Sequence, residues 1–400
     1  MLKGCYMTEL HVEQIRNFRL HSHHLDAEDQ QTGPAELVGA CGMQNTPPGA
    51  WETALYNRAG RLTLREMERM LYEERSLLQA WSFRGTPVVF PAAESEVFLS
   101  ALMAEDGEPW IYTAGIGLAL DFLQMPFDDL FILLKQVMPH LDGTSIESKT
   151  SLDQTLADRM LPLLPSDKQA LWNQPSMYGS PDKQTVGGAV VSFLLRPCAF
   201  SGLVVFGERN GTSPSFTSFK NWTGRALTPG DKAAKTLVRK FLHCYGPGTV
   251  DGFVSWLGCS GKQGRRLWSV VSDEIEPVEA MGKKAWILSD DRKRLFSPAP
   301  LRRELILLGG HDPYLDQRDR TVLQQDRSLH RQIWKTVANP GAVLYRGEIV
   351  GIWTGKKQRT GMEIKISLWS DLRRQQLMQL RELAEQYAAF RDLKLLRVEL

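Results

Sequence analysis

The sequence predicts an α+β fold, with three tandem winged helix-turn-helix units at residues 1–110, 111–228 and 229–298 and a β-rich C-terminal domain at residues 299–400. Two observations support this prediction. The same order of elements, two or three amphipathic helices and then two short β-rich runs, occurs three times along the chain. After Pro298 the order changes to strand-like runs separated by charged turns, with an amphipathic helix at the end.

The first unit begins with amphipathic helical patterns and closes with a strand pair. Apolar residues recur at helical spacing in HVEQIRNFRLHSHHL, AELVGACGM, AWETALYNR and TLREMERMLYEER. The segment LLQAWSFRGTPVVF has the composition of two strands and an intervening turn. Helices followed by a strand pair are the arrangement of a winged helix.

The second and third units repeat this arrangement. In the second, helical SLDQTLADRMLPLL and TVGGAVVSFLLRP precede GLVVFGERNGTSPSFTSFKNW, two strands around the turn residues Arg209, Asn210 and Gly211. In the third, helical DKAAKTLVRKFLHCYG, TVDGFVSWLGC and GKQGRRLWSVVSDEI precede VEAMGKKAWILS, a hairpin predicted to turn at Gly282 and Lys283.

The C-terminal domain is predicted from four strand-like runs, RELILLGG, RTVLQQ, GAVLYRGEIVGIW and MEIKISLW. An amphipathic helix in DLRRQQLMQLRELAEQYAAFRDLKLL follows them. We expect this helix to cover one face of the sheet formed by the strands.

Composition indicates a soluble globular protein of 400 residues, 42% hydrophobic and 24% charged. Because the sequence has neither a run of about 18 apolar residues nor the apolar core of a signal peptide, we expect a cytoplasmic, nucleoid-associated protein without membrane contact. The cysteines are odd in number, widely spaced and without a C-x-x-C pair, which indicates reduced core residues: Cys5, Cys41, Cys198, Cys244 and Cys259.

Charge is divided unevenly between the two halves of the chain. Residues 1–200 contain 15 Lys and Arg against 25 Asp and Glu, whereas residues 201–400 contain 33 against 21. The net charges of −10 and +12 indicate either an anionic partner for the second half or an acidic half that docks on a basic half.

Five segments, in a fixed order, carry a resemblance to a known family. They are GMQNTPPGAWETALYNR, AWSFRGTPVVF, CYGPGTVDGFVSWLG, GGHDPYLDQRDR and NPGAVLYRGEIVGIW. Together they resemble the AlkZ- and YcaQ-like winged-helix DNA glycosylases over nearly the whole chain. The resemblance implies a monofunctional glycosylase that releases alkylated purines from duplex DNA, using three tandem winged helices around a concave DNA-binding channel. We expect no cofactor.

The first of these segments contains the residues to which the resemblance assigns catalysis. The family has Gln-x-Gln or Gln-x-Asp here, so that its first position corresponds to Gln44 and its second to Thr46, where this chain has neither an amide nor a carboxylate. Thr46 before Pro47 also has the pattern of a helix N-cap, a structural role that would compete with catalysis. Asn45 is expected to support the loop or to point away.

Release of an alkylated purine places modest chemical demands on such a site. The lesion makes the base cationic, so the leaving group needs little acid assistance, and the enzyme has to position a water and tolerate a cationic sugar. Gln44 can orient the water through its amide, and Thr46 can contribute a hydroxyl. Glu52, the nearest carboxylate in the sequence, could act as a base or take part in a salt bridge.

Basic residues of the first and third units and the following segment are candidate DNA contacts. Each could instead be solvated, and Arg84 could pair with a carboxylate, but clustering at a recognition-helix start and at a hairpin tip favours phosphate contacts. The candidates are Arg84, Lys262, Arg265, Arg266, Lys283, Lys284, Arg292, Lys293, Arg318 and Arg320.

Two functions therefore follow from the sequence. The first is a monomeric glycosylase that acts on duplex DNA. The second is a winged-helix DNA-binding protein without catalysis, a regulator or damage binder, in which Thr46 is a helix cap.

His21, His23 and His24 lie close together in LHSHHLD, but no cysteine or carboxylate has the spacing of a zinc site. A solvated helix end is the expected role of these histidines, and no metal site is predicted.

Overall fold

The computed structural model describes residues 9–26, 32–179, 183–335 and 337–400. Helices and strands are mixed along the chain, which confirms the α+β class. The helices are α1 Val12–Ser22, α2 Pro34–Gly39, α3 Ala50–Tyr56, α4 Leu64–Tyr72, α5 Ser95–Phe98, α6 Gly117–Leu123, α7 Phe127–Val137, α8 Lys149–Met160, α9 Ser166–Trp172, α10 Val186–Phe200, α11 Phe219–Thr223, α12 Ala233–Tyr245, α13 Val250–Leu257, α14 Gly261–Ser269, α15 Arg292–Phe296, α16 His330–Ile333 and α17 Arg374–Phe390. The strands are β1 Glu9–Leu10, β2 Met43–Gln44, β3 Leu77–Trp81, β4 Pro87–Pro91, β5 Ile146–Glu147, β6 Val205–Phe206, β7 Ser215–Thr217, β8 Ile275–Ala280, β9 Lys283–Leu288, β10 Leu305–Leu308, β11 Gly341–Tyr345, β12 Glu348–Gln358, β13 Gly361–Leu368 and β14 Leu395–Glu399.

Contacts along the chain divide the protein into two compact units. They are named unit 1 and unit 2 below, and these names do not refer to the three winged-helix units predicted from the sequence. Unit 1 consists of Met1–Met70, Val238–Trp256 and Trp268–Leu400, and unit 2 consists of Leu71–Leu237 and Leu257–Leu267. Both units are therefore assembled from segments that are distant in the sequence.

Unit 1 contains a five-stranded sheet in the order β10-β11-β12-β13-β14. Neighbouring strands are antiparallel except β13 and β14, which are parallel. One face packs against α17 through Leu380, Ala384 and Ala388, as the sequence predicts, and the other is covered by Leu20 of α1 together with Leu25, Tyr314, Leu315, Leu323 and Ile333. Burial on both faces stabilises the sheet and fixes the turn that follows β10.

Unit 1 also contains the hairpin β8–β9, to which β1 adds in parallel. Met281 and Gly282 form its two-residue turn, and both have positive φ, at 53° and 70°. The predicted turn at Gly282 and Lys283 was therefore wrong by one residue. Two successive positive φ angles are typical of the type I′ turn, whose twist matches that of a hairpin.

Unit 2 has a core built around α8 and α10. The indole of Trp81, at the end of β3, stacks on Phe216 of β7 with 5.2 Å between ring centroids. Strands β3 and β4 form the predicted antiparallel pair, and β7 pairs with both β5 and β6. Gly187 of α10 lies so close to the indole of Trp172 that a Cβ at this position would come within 2.3 Å of the ring.

Two predictions for the C-terminal domain were wrong. RTVLQQ forms a 3-10 turn at Arg320–Val322 in place of a strand. The helical tail ends at Phe390, and Leu395–Glu399 forms β14 beside β13. The helix ends because Asp392 adopts a left-handed conformation at φ 53°, which turns the chain back toward the sheet.

None of the helices within the described residues combines the length and the apolar character needed to cross a membrane.

Candidate functional site

Gln44 lies at the end of β2 in unit 1, with only 9% of its surface exposed. Its amide nitrogen Nε2 lies 3.4 Å from the backbone oxygen of Thr46 and 3.4 Å from Nδ1 of His311. Both distances are long for hydrogen bonds. The structure thus places a histidine, which the sequence did not identify as a candidate, against the predicted catalytic glutamine.

Helix α3 and Arg58, two residues after its end, bring Gln44 and His311 together. Asn57 Nδ2 donates to the backbone oxygen of Leu307 at 3.1 Å, which attaches the end of α3 to β10. Arg58 donates to both carboxylate oxygens of Asp312, at 2.8 and 2.9 Å, and both side chains are almost fully buried. A bidentate pair of this kind fixes orientation as well as distance. The residue before Asp312 is therefore held beside Gln44.

The Arg58–Asp312 pair keeps the guanidinium charged despite its burial. Burial alone lowers the pKa of Arg58, but the charge and hydrogen bonds of Asp312 outweigh it, so that the pKa is raised above its ordinary value. Asp312 also accepts a hydrogen bond from the backbone N–H of Tyr314 at 2.9 Å. Asp312, the residue after His311, is therefore held both by Arg58 and by the backbone.

The start of α3 differs from the prediction. Thr46 was expected to cap a helix that begins at Pro47, but the helix begins at Ala50 and Gly49 is its N-cap residue. Asn45 stabilises this turn, because its Oδ1 accepts a hydrogen bond from the backbone N–H of Gly49 at 2.7 Å. Thr46 is exposed and does not cap α3, whereas Asn45 has the loop-supporting role that the sequence suggested.

Glu52, the carboxylate nearest to the motif, forms a salt bridge. Its Oε2 accepts a hydrogen bond from Nη1 of Arg391 at 2.8 Å, and 5% of its side chain is exposed. Gly49 lies directly over this pair, since a Cβ there would come 3.3 Å from the carboxylate. Of the two roles considered for Glu52, the structure supports the salt bridge.

A groove of about 400 Å³ begins at the exposed residues Pro47 and Pro48. Its lining includes His311, and it contains the basic side chains of Lys335 and Arg391 but no acidic side chain. The groove is therefore suited to an anionic group such as a DNA phosphate lying next to the motif.

Four predicted DNA contacts come together in a second groove of unit 1. Lys283 and Lys284, at the exposed start of β9, line it together with Arg318 and Arg320. The groove has a volume of about 730 Å³. Lys284 Nζ lies 4.5 Å from the ring centre of Trp286, and the Arg320 guanidinium lies 4.7 Å from that of Trp334. Aromatic contacts of this kind hold basic side chains in place.

Other predicted DNA contacts are paired within the protein. Arg266 donates to both oxygens of Glu108, at 2.9 and 2.8 Å, and the hydrogen bond from Arg266 keeps the pKa of Glu108 below its ordinary value. Lys262 donates to the backbone oxygen of Asp106 at 2.7 Å, and Arg292 pairs with Glu276 at 2.6 Å. These contacts compete with phosphate binding.

The remaining predicted contacts differ in exposure and conformation. Arg265 and Lys293 are exposed, whereas Arg84 is half-buried in a 3-10 turn with φ 56°.

The sequence did contain a signal for His311. GGHDPYLDQRDR was one of the five segments that carried the family resemblance, but its histidine was not assigned a role. Among the described residues, the structure also contains one group of side chains suited to a metal ion, His23, Cys41 and Cys244, and this group does not include Gln44, Thr46 or His311.

Comparison with known proteins gives consistent results. A family model described as DNA glycosylase AlkZ-like matches residues 38–390. The chain is 26% identical over 358 residues to an interstrand DNA cross-link repair glycosylase of Streptomyces sahachiroi, covering 85% of this chain and 86% of that protein. The solved structure of the Streptomyces sahachiroi DNA glycosylase AlkZ is similar, with a TM-score of 0.72, 21% identity and coverage of 97% of this chain and 98% of that one.

Proposed function

The chain belongs to the AlkZ-like DNA glycosylase family, and we propose that it hydrolyses the N-glycosidic bond of alkylated purines in duplex DNA. One observation carries the proposal. The amide of Gln44 and the imidazole of His311 face each other at 3.4 Å beside an exposed loop and a basic groove. This arrangement provides two polar groups that can hold a water molecule at a sugar carbon.

In the proposed reaction the alkylated base leaves as the C1′–N bond breaks, and water adds to the oxocarbenium-like sugar. Gln44 orients the water through its amide, and His311 accepts the proton that the water loses. An imidazole suits this role because it exchanges protons near neutral pH. Thr46 can add a hydroxyl contact, since it does not cap α3.

Glu52 has no place in this mechanism as a base. Its carboxylate is committed to Arg391, and a proton acceptor must reach the water directly. Lys335 in the basic groove then holds a phosphate next to the target nucleotide, while Arg391 in the same lining keeps its bond to Glu52. This arrangement orients the sugar and supplies binding energy away from the bond that breaks.

Duplex DNA binding is assigned to the second groove, lined by Lys283, Lys284, Arg318 and Arg320. We infer that α12, α13, α14 and the hairpin β8–β9 form a winged helix, because three helices followed by a hairpin occur there in order. The wing would then present Lys283 and Lys284 to the DNA backbone.

The other two winged helices and the boundaries at residues 110, 228 and 298 stay predictions. A monomer and a location at the nucleoid are likewise predictions from the sequence.

The test is base release from defined duplexes. Purified protein is incubated with DNA carrying nitrogen-7-methylguanine, a bulkier monoadduct or an interstrand cross-link, and abasic sites are counted. The last substrate is included because the Streptomyces relative is a cross-link repair glycosylase. We expect release from the wild type and from the control Gln358→Ala, a slower rate for Gln44→Ala, and a rate slower by roughly a hundredfold or more for His311→Ala, the lower end of what a general base contributes.

Binding to each duplex is measured in parallel. Binding without release from any substrate would favour the non-catalytic DNA-binding function. Release that is unchanged in Gln44→Ala and His311→Ala would show that this site is not the catalytic one.

A further inference from the structure

Three buried side chains from distant parts of unit 1 converge on one point. His23 follows α1, Cys41 precedes β2, and Cys244 lies near the end of α12. Their potential ligand atoms all lie within 4.8 Å of one another, and none of the three residues is more than 5% exposed. Sequence spacing gave no sign of this group, because its members are separated by 18 and 203 residues.

The imidazole of His23 is oriented so that one nitrogen faces the sulfur atoms. Its Nε2 lies 3.0 Å from the backbone oxygen of Cys244, which can only accept, so this nitrogen carries the proton. The lone pair of Nδ1 therefore points toward Cys41 Sγ, at 3.8 Å. A backbone carbonyl that holds the far nitrogen of a histidine is the usual support for a metal ligand.

The ring of His23 is also fixed by aromatic contacts. Tyr245 and Tyr314 pack edge-on against it, with ring centroids 5.0 and 5.5 Å away. A histidine held in this way presents its lone pair without an entropic cost on binding. The ligand geometry is thus preorganised.

The distances are those of ligands around one ion. Zinc bonds of about 2.3 Å to sulfur and 2.0–2.1 Å to nitrogen place the two ligand atoms roughly 3.6–3.8 Å apart at tetrahedral or trigonal angles. The observed Nδ1–Sγ separation of 3.8 Å falls in this range. A metal would replace the thiol proton that otherwise lies between these atoms.

The thiol of Cys244 is positioned by the backbone, since its Sγ lies 3.4 Å from the backbone oxygen of Ala40.

We propose that His23, Cys41 and Cys244 form a structural site for a thiophilic metal ion, Zn²⁺ or Cu⁺. Two thiolates and a neutral imidazole balance the charge of Zn²⁺, which lowers the free-energy cost of burying the ion. Two thiolates and an imidazole without water also suit Cu⁺. The ion would join α1, α12 and the segment that leads to Gln44. This proposal revises the prediction that the protein has no metal site. It is independent of the proposed glycosylase mechanism.

The experiment measures metal content of the full chain. Protein is produced in medium supplemented with zinc or with copper under reducing conditions, passed through gel filtration and analysed for both elements. We expect about one ion per chain, as for a closed structural site, and the element retained distinguishes the two metals. Reconstitution of metal-free protein with Co²⁺ should give thiolate-to-cobalt charge-transfer absorbance.

Variants establish which residues bind. Cys41→Ser and Cys244→Ser should lose the metal and the cobalt absorbance, whereas Cys198→Ser, which changes a buried cysteine of unit 2, should retain both. If the first two variants do not fold, the wild type still provides a test, because extraction of the ion with a chelator should lower Tm and its return should restore it.

Three results would overturn the proposal. They are metal-free wild-type protein from both supplemented media, full metal content in Cys41→Ser, and a Cys41–Cys244 disulfide in protein purified under reducing conditions.

Discussion

Arg391 donates a hydrogen bond to Glu52 at 2.8 Å and so joins the residue after α17 to the first turn of α3. The two residues are 339 positions apart in the sequence. Through this contact the C-terminal helix supports the segment that follows the proposed catalytic motif, although α17 contributes no residue to the proposed chemistry.

Replacement of Arg391 by Met should destabilise the protein. The carboxylate of Glu52 would remain buried without its partner, and because Arg391 is 27% exposed we expect a loss of about 2 kcal/mol, below the range for fully buried pairs. Urea unfolding measures this loss. The double variant Glu52→Gln/Arg391→Met should recover most of it, and independent effects of the two substitutions would show that the pair is not coupled.

Asn45→Ala should lower the free energy of unfolding by about 1–2 kcal/mol, the usual effect of leaving a buried backbone donor without its acceptor. The backbone N–H of Gly49 would lose the acceptor that now lies 2.7 Å away. Asn45→Asp should retain most of the stability because a carboxylate oxygen can accept the same bond. Asn210→Ala, at an exposed turn of unit 2, is the matched control. Equal stability of Asn45→Ala and wild type would contradict the assignment.

Thr46→Asp should increase the rate of base release. Thr46 is exposed and does not cap the helix, so the substitution leaves the fold intact and adds a carboxylate that can accept a proton and offset the cationic sugar. Single-turnover kinetics on the alkylated duplex measure the change, with Thr46→Asn as a neutral isostere of the new side chain. A slower rate for Thr46→Asp with unchanged DNA affinity would contradict a role for position 46 in positioning water.

Removal of the charges at Lys283, Lys284 and Arg318 should weaken duplex binding and reduce its salt dependence. Each lost phosphate contact should lower the slope of log K against log salt by roughly 0.9. Lys365→Ala is the control, because this lysine is on β13 and pairs with Glu399. If the triple alanine variant had the slope of the wild type, the second groove would not be the DNA-binding surface.

Stability should rise with pH through the titration of Lys149 in unit 2. Burial lowers the pKa of this lysine from 10.5 to about 8, although Asp153 at 2.5 Å raises it. Between these two values the unfolded chain binds more protons than the folded one, so the free energy of unfolding increases from pH 8 toward pH 10.5. Urea titrations at several pH values should show this rise.

Lys149→Met should remove that part of the rise, and Lys220→Met, at a largely exposed lysine, should leave it unchanged. A rise that persists in full in Lys149→Met would assign it to another group.

Helices α1, α4, α8, α10, α12 and α13 and the pairs β3–β4 and β8–β9 were predictable because each depends on local periodicity or turn composition, whereas α6, α7 and α9 were not predicted. The start of α3 was not, because Thr46 before Pro47 has a capping pattern, whereas the helix begins at Ala50 with Gly49 at the N-cap position and no side-chain cap. The role of His311 could not be predicted for a different reason. Its place beside Gln44 depends on the Arg58–Asp312 pair, and no local pattern in the sequence reports that contact.

The Arg58–Asp312 pair determines when the proposed active site can form during synthesis. Arg58 and Asp312 are 254 residues apart, so at 5–20 residues per second the ribosome releases the second partner on the order of 10–50 s after the first. A nascent chain therefore carries Gln44 and the first helices well before His311 is available. Base excision would be confined to finished molecules, and an interrupted translation product would be inert toward DNA bases.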